Sequence, residues 1–269
     1  MESLNLSEKG QKLIELYDSM AVEGYDRADG TRISDAYNDF ELRKFRNLIL
    51  PHFKEHEVKS VLDYGCGGSD WETLCFDEET AASAKDFFNL DAVSYYEPAR
   101  GIDQRQKVDC VSCFDVLEHV FISDVATVLR DIFSYAQKLV VINIACYESA
   151  AILPNGENAH ITVRDPMWWK GMLDSISVDF PEVNILLLAS PSYQSAKIFE
   201  VWNATKWDKS KNFQVNVIAP DLVGGSASAT NEFKLDKLQL LELNDSVLSQ
   251  DPNFTIDLID LLQKRFKVN

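Results

Sequence analysis

Two hydrophobic rhythms alternate along this chain and predict its elements. Near the N-terminus Leu13, Leu16, Tyr17 and Met20 recur at helical spacing. A glycine- and charge-rich loop from Val22 to Ser34 follows. A second helix is predicted over 35–50, with Leu42, Phe45 and Ile49 on one face and Pro51 at its end. Short apolar runs then predict strands at 60–62, 92–97, 110–114 and 139–144, the last continuous enough for a strand buried on both faces. Between them a helix is predicted over 80–88. Another begins behind a Ser123 cap, with Val125, Val128, Leu129, Ile132 and Phe133 forming a stripe suited to packing on a sheet. A further helix starts at Asp165-Pro166 and runs to about Ile176, proline being favoured in a first turn. Two strands at 183–189 and 197–202 close the pattern, and a Gly/Ser/Ala linker at 224–230 leads to two amphipathic helices at 231–244 and 255–266. Strands alternating with helices predict an α/β, doubly wound, mostly parallel sheet with an antiparallel closing strand.

The strand at 60–62 runs into Asp63-Tyr-Gly-Cys-Gly-Gly-Ser-Asp70. A glycine turn at the end of a first parallel strand lets a ligand approach the backbone and offers it free N–H groups. The dinucleotide fingerprint G-x-G-x-x-G fits Gly65 and Gly67 but meets Asp70 at its third glycine. Glu97 ends the next strand, where a carboxylate can accept hydrogen bonds from both hydroxyls of a ribose. The strand at 110–114 ends in Asp115-Val-Leu-Glu-His119.

In this order, the glycine turn led by Asp63, the acid-ended strand and the D-V-L-E-H strand end resemble class I, Rossmann-like methyltransferases that use S-adenosylmethionine. The downstream Leu153-Pro-Asn-Gly-Glu-Asn-Ala-His-Ile-Thr162 segment, leading to Trp168-Trp169, resembles uncharacterised bacterial and phage-associated members of that class. The resemblance implies S-adenosyl-L-methionine as cofactor, with Asp63, Tyr64, Gly65, Gly67, Glu97, Phe114, Asp115 and Val116 around it. It also implies three regions: an N-terminal helical lid (1–59), the cofactor-binding domain (60–206) and a C-terminal helical extension (207–269) that could cap the sheet or make a homodimer contact. The segment between Glu97 and Asp109 is too short for a full helix and third strand, so that part of the fold is expected to be abridged.

Composition narrows the partners. Of 269 residues 46% are hydrophobic, enough for a substantial core, and no apolar run is long enough to span a membrane. The N-terminal residues lack the features of a signal peptide. Five cysteines without paired C-x-x-C spacing read as reduced thiols, which suits the cytoplasm, and give no structural zinc pattern. A net charge of −17 disfavours nucleic acid and membrane surfaces and leaves a small molecule as the natural partner.

Methyl transfer to an oxygen or nitrogen requires placement of the acceptor and removal of its proton. His119 and His160 lie in loops at the carboxyl end of the sheet and are the candidate bases, whereas His52 and His56 read as surface residues. Tyr25, Tyr147, Asn158 and Trp168 are the candidate acceptor contacts, with Arg32 and Tyr37 as further lid residues. The reading carries no metal; its alternative is a Mg, Mn or Zn ion held by Glu118, His119, Glu157 and His160. The expected reaction is methylation of a small metabolite or sugar-type acceptor. The rival readings are a protein target, a non-catalytic cofactor-binding subunit and an NAD-linked oxidoreductase.

Overall fold

The computed structural model describes residues 4–34, 40–77, 79–206 and 212–216. Tyr37, the linker at 224–230 and both C-terminal helices of the sequence reading lie outside them. The chain opens with helix α1 (Glu8–Glu23), whose N-cap Ser7 accepts a hydrogen bond from the Gly10 N–H and which stops at Gly24, φ +78°. The stretch read as a loop holds a small hairpin, β1 (Tyr25–Arg27) and β2 (Arg32–Ile33), turned at Asp29-Gly30. Helix α2 (Phe40–Glu55) then leads to β3 (Ser60–Tyr64). Pro51 does not end α2; it sits inside the helix, because the buried face continues past it to Phe53.

The predicted 80–88 helix shrinks to α3 (Ala84–Phe87), capped by Ser83. Thr80 is held by the Asp77 carboxylate, and Ala81 has φ +55°, so residues before Ser83 form a turn. Next come β4 (Ala92–Glu97), a 3-10 turn at Pro98–Arg100, and the two-residue β5 (Ile102–Asp103), which folds back antiparallel on β4. This is the abridged connection anticipated from its length. Strand β6 (Val108–Phe114) and helix α4 (Val125–Tyr135) follow. Ser123 is not the cap of α4. Asp124 occupies that position, and its carboxylate instead accepts from the N–H and Oγ of Ser7, at 2.9 and 2.7 Å, pinning the start of α1. Then come β7 (Ala136–Ala145), β8 (Ala151–Ile152), α5 (Pro166–Ser177), β9 (Asn184–Ser192), β10 (Ser195–Trp202) and β11 (Asn212–Asn216).

Among the described residues the main sheet has the order β11-β10-β9-β7-β6-β3-β4-β5. Its five middle strands, β4-β3-β6-β7-β9, are parallel, and β5, β10 and β11 are antiparallel edges. Both faces are covered, as alternation along buried strands requires. Val61, Cys110, Leu139, Val141 and Leu186 face α2 through Phe45, Ile49 and Phe53. Leu62, Val111, Val140, Ile142 and Leu187 face α4 and α5 through Leu129, Ile132, Trp169 and Leu173. His52 and His56, read as surface residues, are half-buried at the end of α2, and burial lowers the His56 pKa.

A second sheet, β2-β1-β8, joins the N-terminal hairpin to the loop after β7. With α1 it lies over the carboxyl ends of the parallel strands. Leu13 and Met20 of α1 pack there on Leu153 and Ala159.

Candidate functional site

Chain order reverses between β3 and β6: β4 lies on one side of β3 and β6 on the other. In open α/β sheets the crevice at the carboxyl end of such a point is where ligands bind. A cavity of about 760 Å³ opens here, floored by the strand ends and roofed by α1 and β1. No helix among the described residues is long and apolar enough to cross a membrane.

The first wall is the glycine turn. Gly65 (φ +76°) and Gly67 (φ +54°) take left-handed conformations that side chains rarely adopt. The N–H groups of Gly65 and Cys66 donate to the Tyr96 carbonyl, at 2.7 and 3.1 Å, tying the turn to β4. The Glu97 carboxylate accepts from the Gly67 N–H at 2.9 Å and the Ala99 N–H at 3.1 Å, and the Arg100 guanidinium donates to the Gly67 carbonyl. Burial raises the Glu97 pKa against these compensating donors. Glu97 thus faces the cavity and also braces the turn; each oxygen keeps a further lone pair for a ligand. Asp63 lines the cavity and accepts the Trp71 indole N–H at 2.8 Å. Tyr64 also borders it, but its hydroxyl donates to Asp131 at 2.8 Å. Phe114, Asp115 and Val116 form the facing wall. A Cβ at Gly65 would lie 2.4 Å from a Val116 methyl, so the two walls meet at van der Waals contact. At Asp70, the third-glycine position, the carboxylate accepts from Glu72 N–H and Thr73 Oγ1 and closes a local turn.

The second wall gathers titratable groups. Asp115 sits at φ +57°, a region that Asp tolerates better than most residues. His119 and His160 pack edge to face, ring centroids 4.9 Å apart. His119 Nδ1 lies 2.8 Å from the Ala159 carbonyl, and His160 Nδ1 lies 2.5 Å from the Tyr147 carbonyl. A carbonyl only accepts, so each Nδ1 carries a proton and each ring turns its Nε2 away from that carbonyl. The His160 Nε2 is 3.9 Å from Asp115 Oδ1. Burial first, and His160 second, lower the His119 pKa to about 4, which keeps that ring neutral at pH 7.

Of the expected acceptor contacts, Tyr25 and Tyr147 are on the cavity wall. Two are not. Asn158 braces its own loop, its Oδ1 accepting from the N–H groups of Ser149 and His160 and its Nδ2 donating to the Ser149 carbonyl. Trp168 lies on α5, edge-on to the buried Trp169 and beneath Arg164, away from the cavity. Arg32 is exposed and bonds Asp26 and the Glu23 carbonyl. The alternative metal set changes as well. Glu157 pairs with Lys9 at the surface. Glu118 is fully buried, accepts the Ala145 N–H, and has its pKa driven well up by desolvation and then by Asp115. Asp115 takes their place: with His119 and His160 it offers one ligand atom each, all within 4.8 Å of one another.

The sequence reading missed Glu41. It lies in the first turn of α2 and lines the cavity, its carboxylate 3.2 Å from the buried Lys44 ammonium. Burial pushes its pKa up to about 7; Lys44 opposes the rise and Asp115 adds to it. In sequence, Glu41 and Lys44 look like an ordinary exposed i,i+3 pair, and nothing marks them as a site. Tyr17 of α1, read as a packing residue, bonds the Ala159 carbonyl at 2.6 Å and stands against His119.

No curated protein and no solved structure matches this chain. A protein-family model described as a methyltransferase domain matches residues 35–169, which span the glycine turn, the acid-ended strand and the Asp115–His119–His160 wall. That match covers half of the chain, and the chain belongs to this methyltransferase-domain family.

Proposed function

We propose that the protein transfers a methyl group from S-adenosyl-L-methionine to an oxygen or nitrogen of a small metabolite or sugar-type acceptor. The observation that carries this reading is that one cavity brings together the glycine turn, Glu97 and the titratable cluster. The residues fit the cofactor. Gly65 and Gly67 carry no side chain that would block a nucleoside, and Val116 packs against the turn as an apolar neighbour. Glu97 has acceptor capacity left for ribose hydroxyls, and Asp63 is an acid within reach of an amine. Gly65, Gly67, Glu97, Phe114, Asp115 and Val116 would hold it. When bound, the cofactor supplies a methyl group already activated on a sulfonium.

The chain's own work is then placement and proton removal. The roof of α1 and β1 serves as the lid, shedding water from the acceptor. Tyr25 and Tyr147 supply its aromatic wall. His119, His160 and Glu41 are the groups able to take a proton there. Of these, His119 at about 4 is a weak base, whereas Glu41, at about 7, matches neutral pH. Below pH 7 the Glu41 carboxyl is protonated and cannot accept, so turnover rises with pH through about 7. In Glu41→Gln the rising limb should vanish and turnover should fall by about a hundredfold. An unchanged pH profile in that variant would remove Glu41 from the mechanism.

The net charge of −17 supports a small acceptor over a nucleic acid. Five free cysteines suit a reducing compartment such as the cytoplasm. The decisive experiment is calorimetric titration with S-adenosylhomocysteine, with NAD as control. The expected result is saturable binding of the thioether and none of NAD. Binding of NAD alone would overturn the reading in favour of an oxidoreductase. Binding of neither would leave a protein without this cofactor.

A further inference from the structure

We infer that Asp115, His119 and His160 form a binding site for one divalent first-row transition-metal ion, and that this ion holds an oxygen acceptor. The ion's binding is independent of the proposed cofactor; its role toward the acceptor rests on that reading.

Three observations carry it. The ligand atoms of the three residues already lie within 4.8 Å of one another, around a space that borders the cavity. Both imidazoles are fixed in the same tautomer by backbone carbonyls, Nδ1 to Ala159 O and Nδ1 to Tyr147 O. This outer arrangement is the one metal-binding histidines use: the carbonyl orients the ring and leaves Nε2 free to coordinate. The third observation is the balance of donors. One nitrogen of each ring and a carboxylate oxygen converge, with His160 Nε2 at 3.9 Å from Asp115 Oδ1, and a cation among them would satisfy all three. Asp115 is held for this by its backbone, at φ +57° with its N–H on the Asn143 carbonyl. The His119 carbonyl-bonded face is steadied by Tyr17, whose hydroxyl donates to the same Ala159 oxygen.

Two imidazoles and one carboxylate favour Mn, Fe, Co, Ni or Zn over Mg or Ca, which prefer all-oxygen sites. Three protein ligands leave coordination positions open toward the cavity. An acceptor hydroxyl bound there would lose its proton more readily, because a metal lowers the pKa of a bound oxygen acid. The site therefore selects an oxygen acceptor over a nitrogen one. It also recasts the two histidines as ligands instead of bases.

The test uses the full chain, stripped with a chelator and titrated with Zn²⁺ and separately with Mn²⁺, with no cofactor present. The expected result is one equivalent bound per chain, not displaced by excess Mg²⁺. His119→Gln and His160→Gln should each weaken it by about tenfold or more, at least the loss seen for outer partners alone. Asp115→Asn, which tolerates the same backbone conformation, should do the same. Circular dichroism of each variant must match the parent, so that loss of binding is not loss of fold. No stoichiometric uptake, or uptake unchanged in the His119→Gln/His160→Gln double variant, would overturn the inference. Metal uptake without S-adenosylhomocysteine binding would keep this site and refute the cofactor reading; the converse would do the reverse.

Discussion

Gly65→Arg should abolish S-adenosylhomocysteine binding while leaving a folded protein. Two costs act together at this position. The backbone is at φ +76°, where a side chain costs about 1–2 kcal/mol. The new Cβ would also begin 2.4 Å from a Val116 methyl, and the rest of the arginine would have to force its way into the adjoining cavity. Val116 is β-branched and has little rotamer freedom with which to move aside. Calorimetry should show affinity lowered beyond detection, with a melting temperature reduced by several degrees. Gly65→Ala separates the causes: it keeps the strain and the first clash but adds no bulk to the cavity. Undiminished binding in Gly65→Arg would mean that the ligand does not sit at this turn.

The largest loss of stability is expected from Trp71→Ala. Trp71 is 1% exposed, packed on Phe88, and donates its indole N–H to the buried Asp63. Truncating a buried aromatic costs about 3–5 kcal/mol. Removing the indole donor from Asp63, which keeps the Ser112 hydroxyl at 3.4 Å, adds about 1–3 kcal/mol. A loss of this size is a large share of the total for an ordinary domain. The midpoint of urea unfolding should fall accordingly. Trp71→Phe keeps most of the volume and removes only the donor, so its loss should be about the hydrogen-bond part alone. Because Asp63 borders the cavity, that variant should also weaken S-adenosylhomocysteine. Equal midpoints for Trp71→Ala and the parent would show that the indole is not the keystone of this corner.

The contrast between these two positions explains what the sequence disclosed. Gly65, Glu97 and Asp115-Val-Leu-Glu-His119 were legible because their chemistry is local: a turn needing glycine, an acid at a strand end, a strand running into a polar cluster. The parallel strands were legible for the same reason, being short apolar runs with turn signals on either side. What was not legible depends on distant partners. Trp71 carries no local signal of its role, although it joins the turn to α3 and the core. Asp124 was passed over for Ser123 because its carboxylate serves Ser7, far off in the chain, in place of its own helix. Pro51 read as a stop because local sterics favour one, at a cost of about 3 kcal/mol that burial of Phe53 and its neighbours outweighs. Asn158 and Trp168 were assigned to the acceptor on residue type alone. One folds inward to its own loop and the other lies one position off the buried face of its helix. Glu41 was invisible because only the closed cavity distinguishes it from a surface glutamate.

The roof sheet has a consequence for how the protein assembles. Its central pairing sets Asp26 against Ile152 and Arg27 against Ala151, residues separated by most of the parallel sheet. The entropy of closing so long a loop is recovered only after the intervening chain is compact. The main sheet must therefore form first, and β1 must find β8 on a nearly finished surface. The few hydrogen bonds of that pairing, with the small cluster of Leu13, Met20, Leu153 and Ala159 beneath it, make the roof a weakly held part of the described fold. Amide exchange in β1 and β8 should thus report a local opening well below global unfolding. The last part of the fold to form is also the first to part, and under the proposed function it would be the door for acceptor and product.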